Sequence, residues 1–264
     1  METSKPLTYS SYLRLPELLG LQSPKSDGPE HDELLFISIH QVYELWFKQL
    51  LHESYDLRAG LLAGDTGRVL ARFKRVLTIF KTLVAQVDVL ETMTPLSFNA
   101  FRTRLEASSG FQSAQFRELE FLFGARDERK LQNYAEGSPE RLRLQGLLQQ
   151  HSLYDAFLVF LTRHGEGLAP PHIARELAKP HQLEPSLHAS LIAVYRAQGF
   201  AAQVCERLVD LDEALQEWRY RHVKMVERTI GSKPGSGGSS GVEYLKRTLF
   251  TPLFPDLWAI RAEL

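Results

Sequence analysis

His222 closes a helical seam in which Leu208, Leu211, Leu215 and Trp218 recur at spacings of three, four, three and four, so an imidazole stands where an apolar side chain belongs. Such a residue is either a hydrogen-bonded part of the core or a ligand held in a dry pocket. A neutral imidazole there is what a five-coordinate haem iron needs, and the neighbouring Arg219 and Arg221 would suit porphyrin carboxylates. His40 poses the same choice. It lies among large apolar and aromatic residues, with Phe36 one turn before it and Tyr43 one turn after, a setting for core packing or for a group that bonds a substrate N–H. Arg102 follows Phe98 by one turn on an aromatic face. Its guanidinium either runs along the surface or points into a pocket, where its fork matches a carboxylate.

Other polar residues carry less chemistry. The remaining histidines, His31, His52, His151, His164, His172, His181 and His188, are expected in loops or on polar faces, with no HExxH and no close ligand spacing for zinc or facial-triad iron. Cys205 is the only cysteine, which rules out an internal disulfide and a cysteine-cluster metal site. It reads as a small buried hydrophobe more readily than as a thiolate ligand. The run GSGGSSG, Gly235 to Gly241, offers free backbone N–H groups and hydroxyls that suit closing over the polar end of a ligand, although a flexible linker would look the same. It lacks the Lys-Ser/Thr of a Walker A loop and has Ser240 where the last glycine of GxGxxG belongs.

Helices must position these groups, since helical periodicity runs almost throughout and no neighbouring pair of segments alternates like a hairpin. The fold class is all-α, read as one helical domain over 31–264 preceded by an N-terminal arm over 1–30. Asp32 is the expected N-cap of a long helix reaching about Gly60, and Val69, Phe73, Val76, Phe80, Leu83 and Val87 mark the face of a second. Thr94-Pro95 is a helix start, and Gly124 ends a helix that holds Phe116, Leu119, Glu120 and Phe123. From Arg126 to about Gly199, glycines and prolines cut weaker patterns that read as surface-facing helices. A long helix from about Ala201 to Ile230 stops at Gly231 and Pro234, and VEYLKRTLF reads as a last helical stretch. No repeat or dividing linker interrupts this order.

Bulk composition narrows the partners. Of 264 residues, 31 are Lys or Arg and 32 are Asp or Glu, so no cationic excess favours nucleic acid or an anionic membrane surface. No window has the length of a membrane span, and METSKPLTYSSYLRLPELL has no apolar h-region. A cytoplasmic protein is expected.

Taken in order, TYSSYL, HDELLFISIHQVYELWFKQLLHE, LETMTPLSFNAFRTRL, SSGFQSAQFRELEFLFG, WRYRH, and IG followed by GSGGSSGVEYL and FPDLW span residues 8 to 258. This set resembles the tryptophan 2,3-dioxygenase family. The resemblance implies a b-type haem with His222 as proximal ligand, His40 as the distal histidine that bonds the indole N–H, and Phe36 packed on the indole. It implies Arg102 as the holder of the substrate carboxylate, Phe98 beside it, and Ser236 on the ammonium and carboxylate. Tyr9, Tyr12 and Leu13 match an arm that reaches into a neighbouring subunit's active site, so a homotetramer of swapped dimers is implied. The implied reaction cleaves the 2,3-bond of L-tryptophan, or of a close indole amino acid, with O2 to give N-formyl-L-kynurenine. A paralogous haem monooxygenase acting on tryptophan or a methylated tryptophan would keep the same residues. Two departures touch the substrate site: Ser236 stands where the family usually has threonine, and Phe98 where some members have tyrosine. A non-catalytic haem or tryptophan sensor and a haem-free helical interaction protein are the readings from other classes.

Overall fold

A computed structural model describes residues 6–106, 108–164, 175–235 and 241–264, and every regular element among them is helical. The order is α1 (Tyr9–Leu13), α2 (Leu15–Leu18), α3 (His31–Ala63), α4 (Thr66–Leu90), α5 (Pro95–Arg102), α6 (Ala114–Phe123), α7 (Pro139–Leu148), α8 (Leu153–Arg163), α9 (His188–Ala197), α10 (Phe200–Ile230), α11 (Val242–Lys246) and α12 (Pro255–Ala259). Short 3₁₀ turns join several of them.

Local chemistry sets most boundaries. Asp65, Thr94, Ser113 and Ser152 each cap a helix by accepting the backbone N–H three residues on, which satisfies one of the orphan donors of a first turn. The long helix α3 ends at Gly64 with φ 76°, a conformation that costs glycine little. It therefore runs one turn beyond Gly60, which is buried inside it, and it starts from Glu30; Asp32 lies in the first turn, where its charge favours the helix N-terminus. Buried Val69, Phe73, Val76, Phe80, Leu83 and Val87 form the inner face of α4, as their spacing requires.

Packing of α3 against α4, α6 and α8, and of α10 against α4, makes the body of the molecule. One correction concerns α8. Its Leu153, Tyr154, Ala156, Phe157, Leu158, Phe160 and Leu161 are all buried, so it is a core helix, and not surface-facing as the glycines and prolines around it suggest. A second is the stretch 242–250, where helix persists only to Lys246 and Phe250 takes φ 58° with its ring exposed. The arm carries two short helices, the first of them capped by the box that Thr8 and Ser11 form. Its foot is fixed where Lys25 and Ser26 donate backbone N–H groups to buried Glu33 at 2.6 and 3.0 Å, and where Gln22 bonds Gln41 at 2.6 Å.

Beside a minor cluster of Phe121, Leu144, Leu147 and Leu148, the core divides into a large cluster, including Leu50, Leu57, Phe73, Phe157, Leu208 and Trp218, and a smaller one formed by Ile39, Val87, Leu90, Met93, Phe98, Phe101 and Met225. Helices α3, α4 and α10 run through both. Where the two clusters part, the same helices enclose a cavity.

Candidate functional site

Side chains from α3, α4, α5, α6, α10 and α11 line this cavity, whose volume is about 280 Å³. The walls are aromatic. Phe36 lies 4.1 Å from the His40 ring and 5.7 and 5.6 Å from Phe98 and Phe101, centroid to centroid. On α10, Trp218 stacks on His222 at 5.3 Å with the rings 4° from parallel, and Phe116 packs on Trp218 at 4.7 Å. His40, Phe36, Phe98, Arg102 and His222, far apart in the chain, thus meet in one place.

Burial pushes the His222 pKa down to about 4, with a smaller contribution from His40, so the imidazole is neutral at physiological pH. His222 lines the cavity, and among the described residues neither of its ring nitrogens has a hydrogen-bond partner. His40 is also lowered, chiefly by burial, and is therefore largely neutral. Its Nδ1 lies 2.7 Å from the Phe36 carbonyl oxygen. A carbonyl only accepts, so this contact places the proton on Nδ1 and leaves Nε2 as an acceptor.

Arg102 is the last residue of α5, half-buried at the cavity edge, where its Nη2 donates to the carbonyl of Pro234. That bond ties α5 to the stem of the glycine loop, and both Gly235 and Gly241 reach the cavity. Ser236 lies outside the described residues. Tyr9, Tyr12 and Leu13 form α1 with no buried residue; they are 77%, 73% and 41% exposed and do not line the cavity of their own chain.

A buried ion cluster lies in the same wall, and sequence reasoning found only part of it. Glu120 accepts from Arg219 Nη2 at 2.7 Å and from Arg117 Nη1, and Lys130 Nζ is 3.4 Å away. Burial alone would raise the Glu120 pKa, yet Arg117, Lys130 and Arg219 together hold it below the ordinary carboxylate range. Arg221 does not join them: it faces Asp88 at 2.5 Å and Glu91 at 3.4 Å. Of the two arginines beside His222, only Arg219 lines the cavity.

Cys205 is fully buried in the large cluster and does not line the cavity, so a thiolate ligand there is excluded. His181 lies in a loop as expected and His188 starts α9, and both bond buried Asp256, at 2.6 and 3.2 Å. Among the described residues, no group of three or more His, Cys, Asp or Glu side chains is arranged to hold a metal ion.

The profile of the tryptophan 2,3-dioxygenase family matches residues 1–158 and 180–264. The chain belongs to that family. A tryptophan 2,3-dioxygenase of Herpetosiphon aurantiacus is 57% identical over 261 residues, covering 99% of this chain and 100% of the relative. One from Anaeromyxobacter sp. (strain K) is 58% identical over 261 residues, with 99% and 97% covered, and one from Nocardioides sp. is 48% identical over 269 residues, with 100% and 97% covered. Family membership agrees with the all-helical architecture. Among the described residues, no helix is long and apolar enough to cross a membrane.

Proposed function

We propose that the chain is a haem-dependent dioxygenase that cleaves the indole 2,3-bond of L-tryptophan with O2, giving N-formyl-L-kynurenine. One observation carries the reading: two neutral histidines from different helices share an aromatic cavity, and the one on α10 has no hydrogen-bond partner at either nitrogen among the described residues. With no cluster of protein ligands among the described residues, a single imidazole suits a metal that brings its own other ligands.

Residues of the cavity fit haem b. His222 would hold the iron, and the cationic groups around Glu120 would give the wall a charge that suits an anionic macrocycle. Buried Arg117 Nε and Trp218 Nε1, both on cavity-lining residues, are donors with no acceptor among the described residues. Haem iron, when bound, supplies the activation of dioxygen that protein side chains do not perform.

The chain's own residues place the substrate. His40 accepts the indole N–H at Nε2, because the Phe36 carbonyl keeps its other nitrogen protonated. Phe36, with Phe98 and Phe101 behind it, packs on the indole and excludes water. Arg102 holds the carboxylate as a charge-assisted fork, and Ser236, next to Gly235, contacts the ammonium and carboxylate. Exposed Tyr9, Tyr12 and Leu13 enter the site of a partner subunit in a homotetramer, which accounts for apolar side chains that find no cover in their own chain.

The names of the relatives favour dioxygenation over the monooxygenase alternative. Turnover of L-tryptophan under 18O2 tests this. A product containing two labelled oxygen atoms is expected, and a product with one would refute the reading.

A further inference from the structure

Helices α1 and α2 bury no residue, and Leu19 and Leu21 are exposed along with Tyr9 and Tyr12. Among the described residues, the hydrogen bonds of residues 8–20 stay within residues 8–22. The outer arm is therefore not tied down along its length, and its direction is set at its foot. One carboxylate grips that foot. Glu33, in the first turn of α3 and 1% exposed, accepts the Lys25 N–H at Oε1 and both the N–H and the hydroxyl of Ser26 at Oε2. The same hydroxyl accepts the Glu30 N–H at 2.9 Å, closing a turn that contains Gly28 at φ 68°. Burial alone would raise the Glu33 pKa, yet these donors hold it below the ordinary carboxylate value. The other ties are lighter: Gln22 bonds Gln41, and Asp27 pairs with Arg104 at 2.8 Å through exposed side chains. Glu33 is not needed merely to put negative charge at the start of α3, since Asp32 does so in the same turn. Nor does it touch the cavity of its own chain, which no residue before Phe36 lines.

We infer that Glu33 is a positioning residue for the neighbouring subunit's site: by holding Lys25 and Ser26 it aims the arm, so that Tyr9, Tyr12 and Leu13 reach the partner's cavity in a set direction. The inference rests on the arm exchange proposed above and adds what directs it. An arm released at its foot must be ordered anew at each docking, and that cost weakens the binding of the substrate it covers.

Glu33→Gln tests this at constant volume. Both carboxylate oxygens face a backbone N–H, so the amide nitrogen meets a donor in either orientation. Affinity for L-tryptophan is read from the Soret band of the reduced, full-length holoprotein. Glu33→Gln is expected to hold haem as wild type does and to bind L-tryptophan about tenfold more weakly. Asp32→Asn, which removes a charge from the same turn without touching the grip, is expected to bind as wild type. Ser26→Ala loosens the grip from outside α3 and carries the same comparison if Glu33→Gln does not accumulate as holoprotein.

Complementation then decides in which subunit Glu33 acts. Glu33→Gln chains are co-expressed with His222→Gly chains under two affinity tags, so that an anchored arm from a chain without haem serves a cavity that holds it. A share of the haem sites in mixed oligomers should regain wild-type affinity, and a partner chain carrying both substitutions should restore none. Wild-type affinity in Glu33→Gln overturns the inference. A loss that His222→Gly chains leave unrestored also overturns it, because Glu33 then acts within its own subunit. Tyr12→Ser combined with Leu13→Ser separates the two claims: if that pair weakens tryptophan binding while Glu33→Gln does not, the exchange stands and the anchor falls. If the pair binds as wild type, the exchange itself falls and the anchor with it.

Discussion

Replacing Arg102 by Met isolates one charge at the cavity edge. Methionine keeps the length and apolar character of the stem and removes the guanidinium. In the free chain that group has one protein acceptor among the described residues, the Pro234 carbonyl, and no carboxylate partner. Loss of a link to a neutral carbonyl at a half-buried site costs stability about 1 kcal/mol or less. A bound carboxylate is another matter, since hydrogen bonds to charged groups contribute about 1.5–3 kcal/mol each. Because Arg102 is half-exposed, the lower part of that range applies, about 2 kcal/mol, or roughly a 30-fold loss of affinity. The assay compares L-tryptophan with tryptamine, which has the indole and the ammonium but no carboxylate, by their perturbation of the Soret band of the reduced protein. Arg102→Met should bind L-tryptophan roughly 30-fold more weakly and tryptamine within about twofold of wild type, with the haem spectrum unchanged. A loss of less than about threefold for L-tryptophan, or an equal loss for both ligands, refutes the assignment of Arg102 to the carboxylate.

Four further outcomes follow from the same geometry. His222→Gly should be purified with little haem, and added imidazole should restore a Soret band; a variant that keeps the wild-type spectrum without imidazole shows that the ligand lies elsewhere. His40→Ala should lose the preference for L-tryptophan over 1-methyl-L-tryptophan by about 1 kcal/mol, roughly fivefold, because only the former has a proton for Nε2 to accept. Phe157→Ala on α8 should cost about 3–5 kcal/mol in urea unfolding, whereas Leu142→Ala, at an exposed site, should stay within about 0.5 kcal/mol. At Asp155, burial would raise the carboxyl pKa, but Arg175 at 2.6 Å and Ser152 outweigh it and hold it low. Its stabilisation is therefore fully present above the unfolded carboxylate value of about 3.9 and disappears as pH falls through the lower folded value. The stability gap between wild type and Asp155→Asn should accordingly be wide at neutral pH and close in strong acid; a gap independent of pH contradicts the pairing.

How much of this was legible in the sequence depends on whether a residue's role is set by its near neighbours or by distant ones. Spacing alone placed the inner faces of α4 and α10, and Thr94-Pro95 fixed the start of α5, because capping and periodicity are settled within a turn or two. His222 stood out for the same reason, as a polar residue in an apolar seam. The burial of α8 did not, since the glycines and prolines around it describe its ends and say nothing of the α3 surface that covers it.

Charged residues show the limit most clearly. Arg219 and Arg221 look equivalent beside His222, but successive helical residues are turned by about 100°, so only the residue three before the histidine shares its face. Helical geometry thus favours Arg219 from the sequence alone, and Arg221 turns out to pair with Asp88 and Glu91. Arg117 and Glu120 are harder, because an Arg and a Glu three apart on a helix ordinarily form a solvated pair of little consequence. Here α10 delivers Arg219 and the 3₁₀ turn after α6 delivers Lys130 to the same carboxylate, and the surrounding core removes the water. A local pair that sequence would assign to the surface becomes an excess of buried positive charge through residues that come from elsewhere in the chain. The site's imidazoles are consequently readable as exceptions within single helices, whereas its charge balance exists only once three segments have met.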